Sequence, residues 1–247
     1  MKPPLISCIV PAYNSKRYLR EALESIRGQF YRPLEIIVAD DGSTDGTASV
    51  VADYGKQIRF LQQPTTGPPA TRNLGLREAQ GEFVAFLDAD DLWHPEKLAR
   101  QMARFQARPD LDLCVAHMQN FWIPELHDEA ARFQDHRRGQ SMPGYYTGTL
   151  LARRTLFDTV GPFNTTLWHG DATDWFLRVA ESGAVIELLS DVLTYHRMHT
   201  ANLSRRMAAA SQNEYLRIVK ASLDRRRHLG AVIPLPEIQA SACQQKA

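Results

Sequence analysis

Along the first 90 residues short apolar runs alternate with stretches whose apolar positions recur every three or four residues. This alternation predicts strands joined by crossover helices, and hence a mainly parallel sheet. The predicted strands are Leu5 to Val10, Leu34 to Ala39, Ile58 to Leu61 and Phe83 to Leu87. Their near-continuous apolar character points to burial on both faces. Leu19, Leu23 and Ile26 mark one face of a helix expected from near Ser15 to Gly28, and Thr44 to Tyr54 and Ala70 to Ala79 are the next two helices. Pro95 reads as the first-turn proline of a fourth, running to about Ala107 and ended by Pro109.

Beyond Leu111 the pattern weakens. A strand is expected at Leu113 to Ala116, and Gln119 to Gly148 is polar and aromatic without a clear period. Asp174 to Ser182 reads as a helix with Trp175, Phe176, Val179 and Ala180 on its apolar side and Gly183 as its stop. Residues 201–230 read as an appended helix with seven Lys or Arg between Arg205 and Arg227 against Glu214 and Asp224. Such a helix presents either a solvated face or a surface for acidic lipid or a partner.

Composition acts mainly by exclusion. With 29 Lys and Arg against 28 Asp and Glu, the 247-residue chain has a net charge of +1. No nucleic-acid partner is expected from so balanced a charge, and any anion site is local. Three cysteines, Cys8, Cys114 and Cys243, include no CxxC pair, so neither a disulfide framework nor a zinc ribbon is indicated. The apolar stretch after Met1-Lys2-Pro3-Pro4 is too short for a signal peptide or a membrane span. A cytoplasmic protein is expected, with peripheral contact at the inner membrane face through the basic helix as an option.

Chemistry concentrates where predicted strands end. The first runs into Val10-Pro11-Ala12-Tyr13-Asn14 and the second into Asp40-Asp41-Gly42-Ser43-Thr44-Asp45-Gly46. Adjacent parallel strands bring such loops to the sheet edge that holds ligands in doubly wound folds, and a carboxylate there can accept hydrogen bonds from a base or ribose. The same Asp, Ser and Gly residues also suit turns and helix caps. A calcium-loop reading of Asp41, Ser43, Asp45 and Gly46 fails because Ala52 stands where a bidentate Glu is needed.

The strand Phe83 to Leu87 runs directly into Asp88-Ala89-Asp90-Asp91. Carboxylates this crowded repel, and a hard divalent cation that also takes phosphate oxygen relieves them. Gly67-Pro68-Pro69-Ala70-Thr71-Arg72-Asn73 opens the third helix, where Arg72 and free N–H groups can face phosphate. Asp171, Asp174, His196 and His199 are further polar candidates, each with an ordinary structural role as its competitor.

Together these segments resemble the large inverting glycosyltransferase family 2, through Ile6 to Asn14, Glu35 to Thr47, Gly67 to Gly75 and Gly81 to Lys97, and more weakly Gly161 to Ser204. The resemblance implies one Rossmann-like α/β domain of the GT-A type, with a mostly parallel central sheet flanked by helices. Residues 1–110 would form its nucleotide-sugar-binding half, residues 111–200 its acceptor-side half, and 201–247 a C-terminal helical extension. It implies that Pro11, Ala12, Tyr13, Asn14, Asp41, Gly67, Arg72 and Asp88 contact the nucleotide, and that Asp90, with Asp88 and His199, binds Mn2+ or Mg2+. The family's Glu-Asp pair before the late helix falls on Asp171 and Ala172. Asp171 is therefore the expected general base, sitting in the loop before the helix that Asp174 heads, with Asp174 as the alternative. The implied partners are a nucleotide-sugar donor, UDP-linked above all, and a saccharide, lipid-linked or other hydroxyl acceptor.

Competing classes are a sugar nucleotidyltransferase, which lacks its basic glycine-rich loop here, and a sugar-nucleotide-binding scaffold without a base, which Ala172 keeps open. Neither GxGxxG nor GxxxxGK[ST] occurs.

Overall fold

The computed structural model describes residues 2–206, 208–228 and 239–241; Cys243 and the end of the predicted 201–230 helix lie outside them. The first half alternates β1 (Ile6–Ala12), α1 (Leu19–Arg27), β2 (Leu34–Asp40), α2 (Thr47–Ala52), β3 (Arg59–Gln62), α3 (Pro68–Glu78) and β4 (Phe83–Phe86). A two-residue β5 (Leu92–Trp93), not foreseen, precedes α4 (Lys97–Ala107). The second half holds β6 (Leu113–Trp122), α5 (His127–Arg132), β7 (Met142–Pro143), β8 (Leu151–Arg153), α6 (Arg154–Val160), α7 (Asp171–Glu181) and β9 (Ile186–Met198). The chain continues through α8 (Leu203–Arg206), α9 (Ala208–His228) and β10 (Gln239–Ser241).

One sheet runs through both halves in the order β10-β9-β6-β8-β4-β1-β2-β3. Every adjacent pair along it is parallel except the two made by β8. Because side chains alternate across a strand, β1 sends Cys8 and Val10 into the core under α1 and α4, with Leu23, Ile26, Leu98 and Phe105. Ile9 points to the opposite core, with Phe86, Phe157, Phe163 and Trp175. The sheet is thus covered on both faces, as the continuous apolar strands require.

Several element boundaries depart from the sequence pattern. The chain turns at Ser15 and α1 begins only at Leu19, because the Ser15 N–H bonds Thr47 Oγ1 and the Lys16 N–H bonds Asp45 Oδ2, each at 2.9 Å. Pro95 stands in the turn ahead of α4, closed by the Lys97 N–H on the His94 carbonyl (3.0 Å), and not in its first turn. β6 extends to Trp122, well past Ala116, because its outer half pairs with β9 after a register shift between Ala116 and Met118. α7 starts at Asp171, so this residue is the first of the helix and not part of the preceding loop, and Asp174 lies one turn inside.

Candidate active site

The C-terminal ends of β1, β2 and β4 meet at one edge. Pro11 and Ala12 close β1 opposite Ala39 and Asp40, and Tyr13 just beyond is 55% exposed. Asn14 adopts a left-handed backbone (φ 47°), which its short polar side chain tolerates. It ties two loops together, its Oδ1 accepting the Thr44 N–H and its own N–H bonding Ser43 Oγ, both at 2.8 Å. Asp45 is consumed by capping: it accepts the Lys16 N–H and the Thr47 N–H and hydroxyl. Burial raises its carboxyl pKa, but those bonds outweigh it and hold the group below its ordinary value.

Asp41 is buried, and its Oδ1 accepts the Thr66 N–H and hydroxyl and the Gln63 amide. Its Oδ2 accepts the Gly67 N–H at 2.9 Å, leaving that oxygen capacity for a further donor. Gly67 needs its φ of +99°, and a Cβ on it would stand 3.3 Å from the indole of Trp168, which is 44% exposed beside it.

Arg72, buried in the first turns of α3, is the hinge of the site. Its guanidinium donates to Asp88 Oδ1 at 2.9 Å and to Asp171 Oδ2 at 2.7 Å. Burial opposes the charge, yet the two carboxylates outweigh it and raise the pKa of Arg72 further. Its Nε–H is buried with no acceptor among the described residues. Asp174 points elsewhere, pairing with Arg178 at 2.9 Å and with Arg225 of α9 at 3.7 Å. The N–H groups of Trp168, His169 and Gly170 all converge on Glu214 of α9, at 2.9, 2.8 and 3.3 Å. A carboxylate from the C-terminal helix therefore fixes the loop that leads into α7.

The three carboxylates after β4 have three different surroundings. Asp91 is fully enclosed, accepting the Tyr146 hydroxyl (3.2 Å), the Arg197 N–H (2.9 Å) and His196 Nδ1 (3.1 Å). Burial alone would lower the pKa of His196, but Asp91 overrides it and lifts the imidazole to about 9. Asp88 and Asp90 each keep 30% of the side chain exposed. His199 Nε2 stands 2.8 Å from Asp90 Oδ2, and its Nδ1 lies 3.2 Å from the Ala201 N–H. Burial pushes the Asp90 carboxyl up, but the His199 bond and the His196 charge more than offset it and hold it low. β5 makes this meeting possible by pairing Leu92 with Tyr195 and Trp93 with Thr194, which clamps the turn to the end of β9.

Among the described residues no three His, Cys, Asp or Glu side chains converge as a complete cation cage. Mg2+ and Mn2+ do not need one, since they bind through one or two carboxylates, substrate phosphate and water. Neighbouring ligands on an octahedral ion with bonds of about 2.1 Å stand about 3 Å apart, close to the Asp90–His199 separation of 2.8 Å. Asp88 and Asp90 are open to such an ion and Asp91 is not. The donor set fits.

The structure thus brings Asp41, Gly67, Arg72, Asp88, Asp90, His199 and Asp171 to one edge and turns Asp174 away from it. The sequence reading named Asp91 only within the carboxylate run and Glu214 only as an acid of the late helix, and it did not single out Tyr146 or Trp168. The β-branched and aromatic run Val192, Thr194 and Tyr195 was the available signal for β9.

An α/β sheet with its polar loops and carboxylate turn at this edge defines a nucleotide-sugar transferase fold of the GT-A type. The sequence profile described as Glycosyl transferase family 2 matches residues 7–164, and the chain belongs to that family. An uncharacterized glycosyltransferase of Nostoc sp. is 31% identical over 224 residues, spanning 83% of this chain and 68% of its own. One of Rickettsia typhi is 29% identical over 209 residues, 80% and 65% of the two chains. TarS of S. aureus, solved with UDP-GlcNAc, superimposes with a TM-score of 0.68 at 25% identity, over 81% of this chain and 60% of its own. The mannosyltransferase PcManGT of Pyrobaculum calidifontis, solved with GDP-Man and Mn2+, shares the fold at 23% identity and a TM-score of 0.63, over 95% and 72% of the two chains. The chain spans about two thirds of the length of the curated relatives it matches.

Proposed function

We propose that the protein transfers a sugar from a nucleoside diphosphate donor, uridine-linked first of all, to an acceptor hydroxyl, with inversion at the anomeric carbon. The observation that carries this reading is the convergence of the Asp41-held loop, the Arg72 bridge and the Asp90–His199 pair on one sheet edge. A uridine donor is supported by the UDP-GlcNAc bound to TarS, which shares the fold.

Tyr13 and the backbone at Pro11, Ala12 and Asn14 line the base, with Asp41 Oδ2 accepting a base or ribose donor. Arg72 offers its Nε–H to a diphosphate oxygen, which would satisfy a buried donor that the described residues leave unpaired. Asp90, His199 and Asp88 would hold Mn2+ or Mg2+, which when bound screens the charge of the diphosphate leaving group. Asp171 takes the acceptor's hydroxyl proton. It faces Arg72 and the strand ends, whereas Asp174 faces α9. A second reading, sugar-nucleotide binding without transfer, is favoured by one observation: the only carboxylate at the helix start that faces the site is already engaged by Arg72.

Calorimetry with UDP tests the donor site. Affinity that rises with Mn2+ and loses that rise in Asp90→Ala is expected, while equal affinity with metal, with chelator and in the variant removes the cation from the mechanism. UDP released from a UDP-sugar only when an acceptor is present identifies transfer; tight binding with no release under any acceptor selects the noncatalytic reading.

A further inference from the structure

α9 buries one face and exposes a second, apolar one. Glu214, Ile218 and Ser222, four residues apart, are buried against the loop before α7 and against Glu181. Ile218 fits so tightly that a Cβ on Gly170 would stand 2.1 Å from its Cδ1. That face alone would anchor the helix. Leu216, Val219 and Leu223 recur at i, i+3 and i+7 on the other side, and are 69%, 52% and 48% exposed. Lone surface leucines are ordinary, but three in register form a stripe that calls for an occupant.

The charges around the stripe select that occupant. Helical geometry places Lys220 and Arg227 along one border, and Arg227 is 78% exposed, whereas Arg226 turns inward to Glu181. Glu214 is turned inward, and Asp224, 3.6 Å from Arg227, stands against Arg217, Lys220 and Arg227, so the rim is net positive. A second copy of the helix packed stripe to stripe would set Lys220 and Arg227 against their own equivalents, which like-charge repulsion disfavours. An anionic lipid surface takes up the apolar stripe and the basic rim together. Among the described residues no helix is long and apolar enough to cross a membrane, so the contact is superficial.

We propose that the outer face of α9 docks the protein on anionic bilayers, with Leu216, Val219 and Leu223 entering the headgroup boundary and Lys220 and Arg227 binding lipid phosphates. Co-sedimentation with vesicles of phosphatidylcholine, and of equal parts phosphatidylcholine and phosphatidylglycerol, tests it. The parent should pellet with the anionic vesicles only and be released by high salt. The triple substitution Leu216→Ser, Val219→Ser, Leu223→Ser should weaken binding by about tenfold or more. The pair Lys220→Gln, Arg227→Gln should weaken it without touching the apolar stripe. Circular dichroism melting checks that each variant folds. A parent that stays in the supernatant, or binds both vesicles equally, overturns the proposal, as do folded variants that pellet like the parent. Light scattering that shows a parent dimer and a monomeric triple variant gives the stripe to a second copy instead.

Discussion

The loops after β1 and β2 and the turn after β4 share one edge of the sheet but are held in different ways. In the first pair, hydrogen bonds from neutral donors cross between segments about thirty residues apart, through Asn14, Ser15, Lys16, Asp45 and Thr47. In the second, ionic and charge-assisted contacts reach His196, Arg197 and His199, more than a hundred residues further on, and Arg72 joins Asp88 to Asp171. The first is a cradle set by local folding. The second exists only once the late strand and helix have docked, and it places the carboxylates after β4 under control of the second half of the chain.

The largest expected effect comes from dividing the two carboxylates of α7. Asp171→Asn should lower transfer by roughly 10² to 10⁴ while UDP affinity persists, because size and hydrogen bonding survive but the proton acceptor does not. Asp174→Asn should mainly lower the melting temperature through its lost partners Arg178 and Arg225. Steady-state rates and calorimetry on both variants check this, and the reverse pattern moves the base to Asp174.

Next in size, Arg72→Met leaves the buried Asp171 without its cation, and unfolding in urea should show a loss of about 3 kcal/mol. Asp88 is partly solvated and contributes less of it. A loss well under 1 kcal/mol would mean that the bridge is not what joins the two halves.

The two regions should also separate by pH. His196 has its pKa raised from 6.5 to about 9 in the folded protein. Its stabilisation is therefore fully present below about 6.5 and lost as pH rises through 9, on the order of 3 kcal/mol. Asp45 is held below its ordinary 3.8, so its contribution is present above that value and lost as pH falls through the lower, folded one. Urea midpoints across pH should show an alkaline decline that His196→Gln flattens and Asp45→Ala leaves intact.

The smallest effect is the cap itself. Asp45→Ala should cost about 1 kcal/mol at neutral pH, read from the same midpoints, with the Asp88 to Asp91 turn undisturbed. A much larger loss would show that the first cradle is not locally built.

By itself, the sequence determined the alternation of strands and helices through Ala107, the edge at which their polar loops gather, and the family to which the chain belongs. The first two follow from side-chain period, turn residues and strand–helix alternation, which act over a few residues, and the family from the resemblance of the motifs at the strand ends. Tertiary structure decided the rest. Asp88, Asp90 and Asp91 are one residue type in nearly one place, yet one meets an arginine, one a histidine, and one is sealed beneath Tyr146 and His196. Asp171 and Asp174 lie on one helix, and only the docking of α3 and α9 on different sides of it sends the first toward the donor edge and the second away. Even the loop that leads into that helix rests on Glu214, more than forty residues downstream. A carboxylate takes its role from the charge and solvent around it, and those are set by segments that no local pattern brings together.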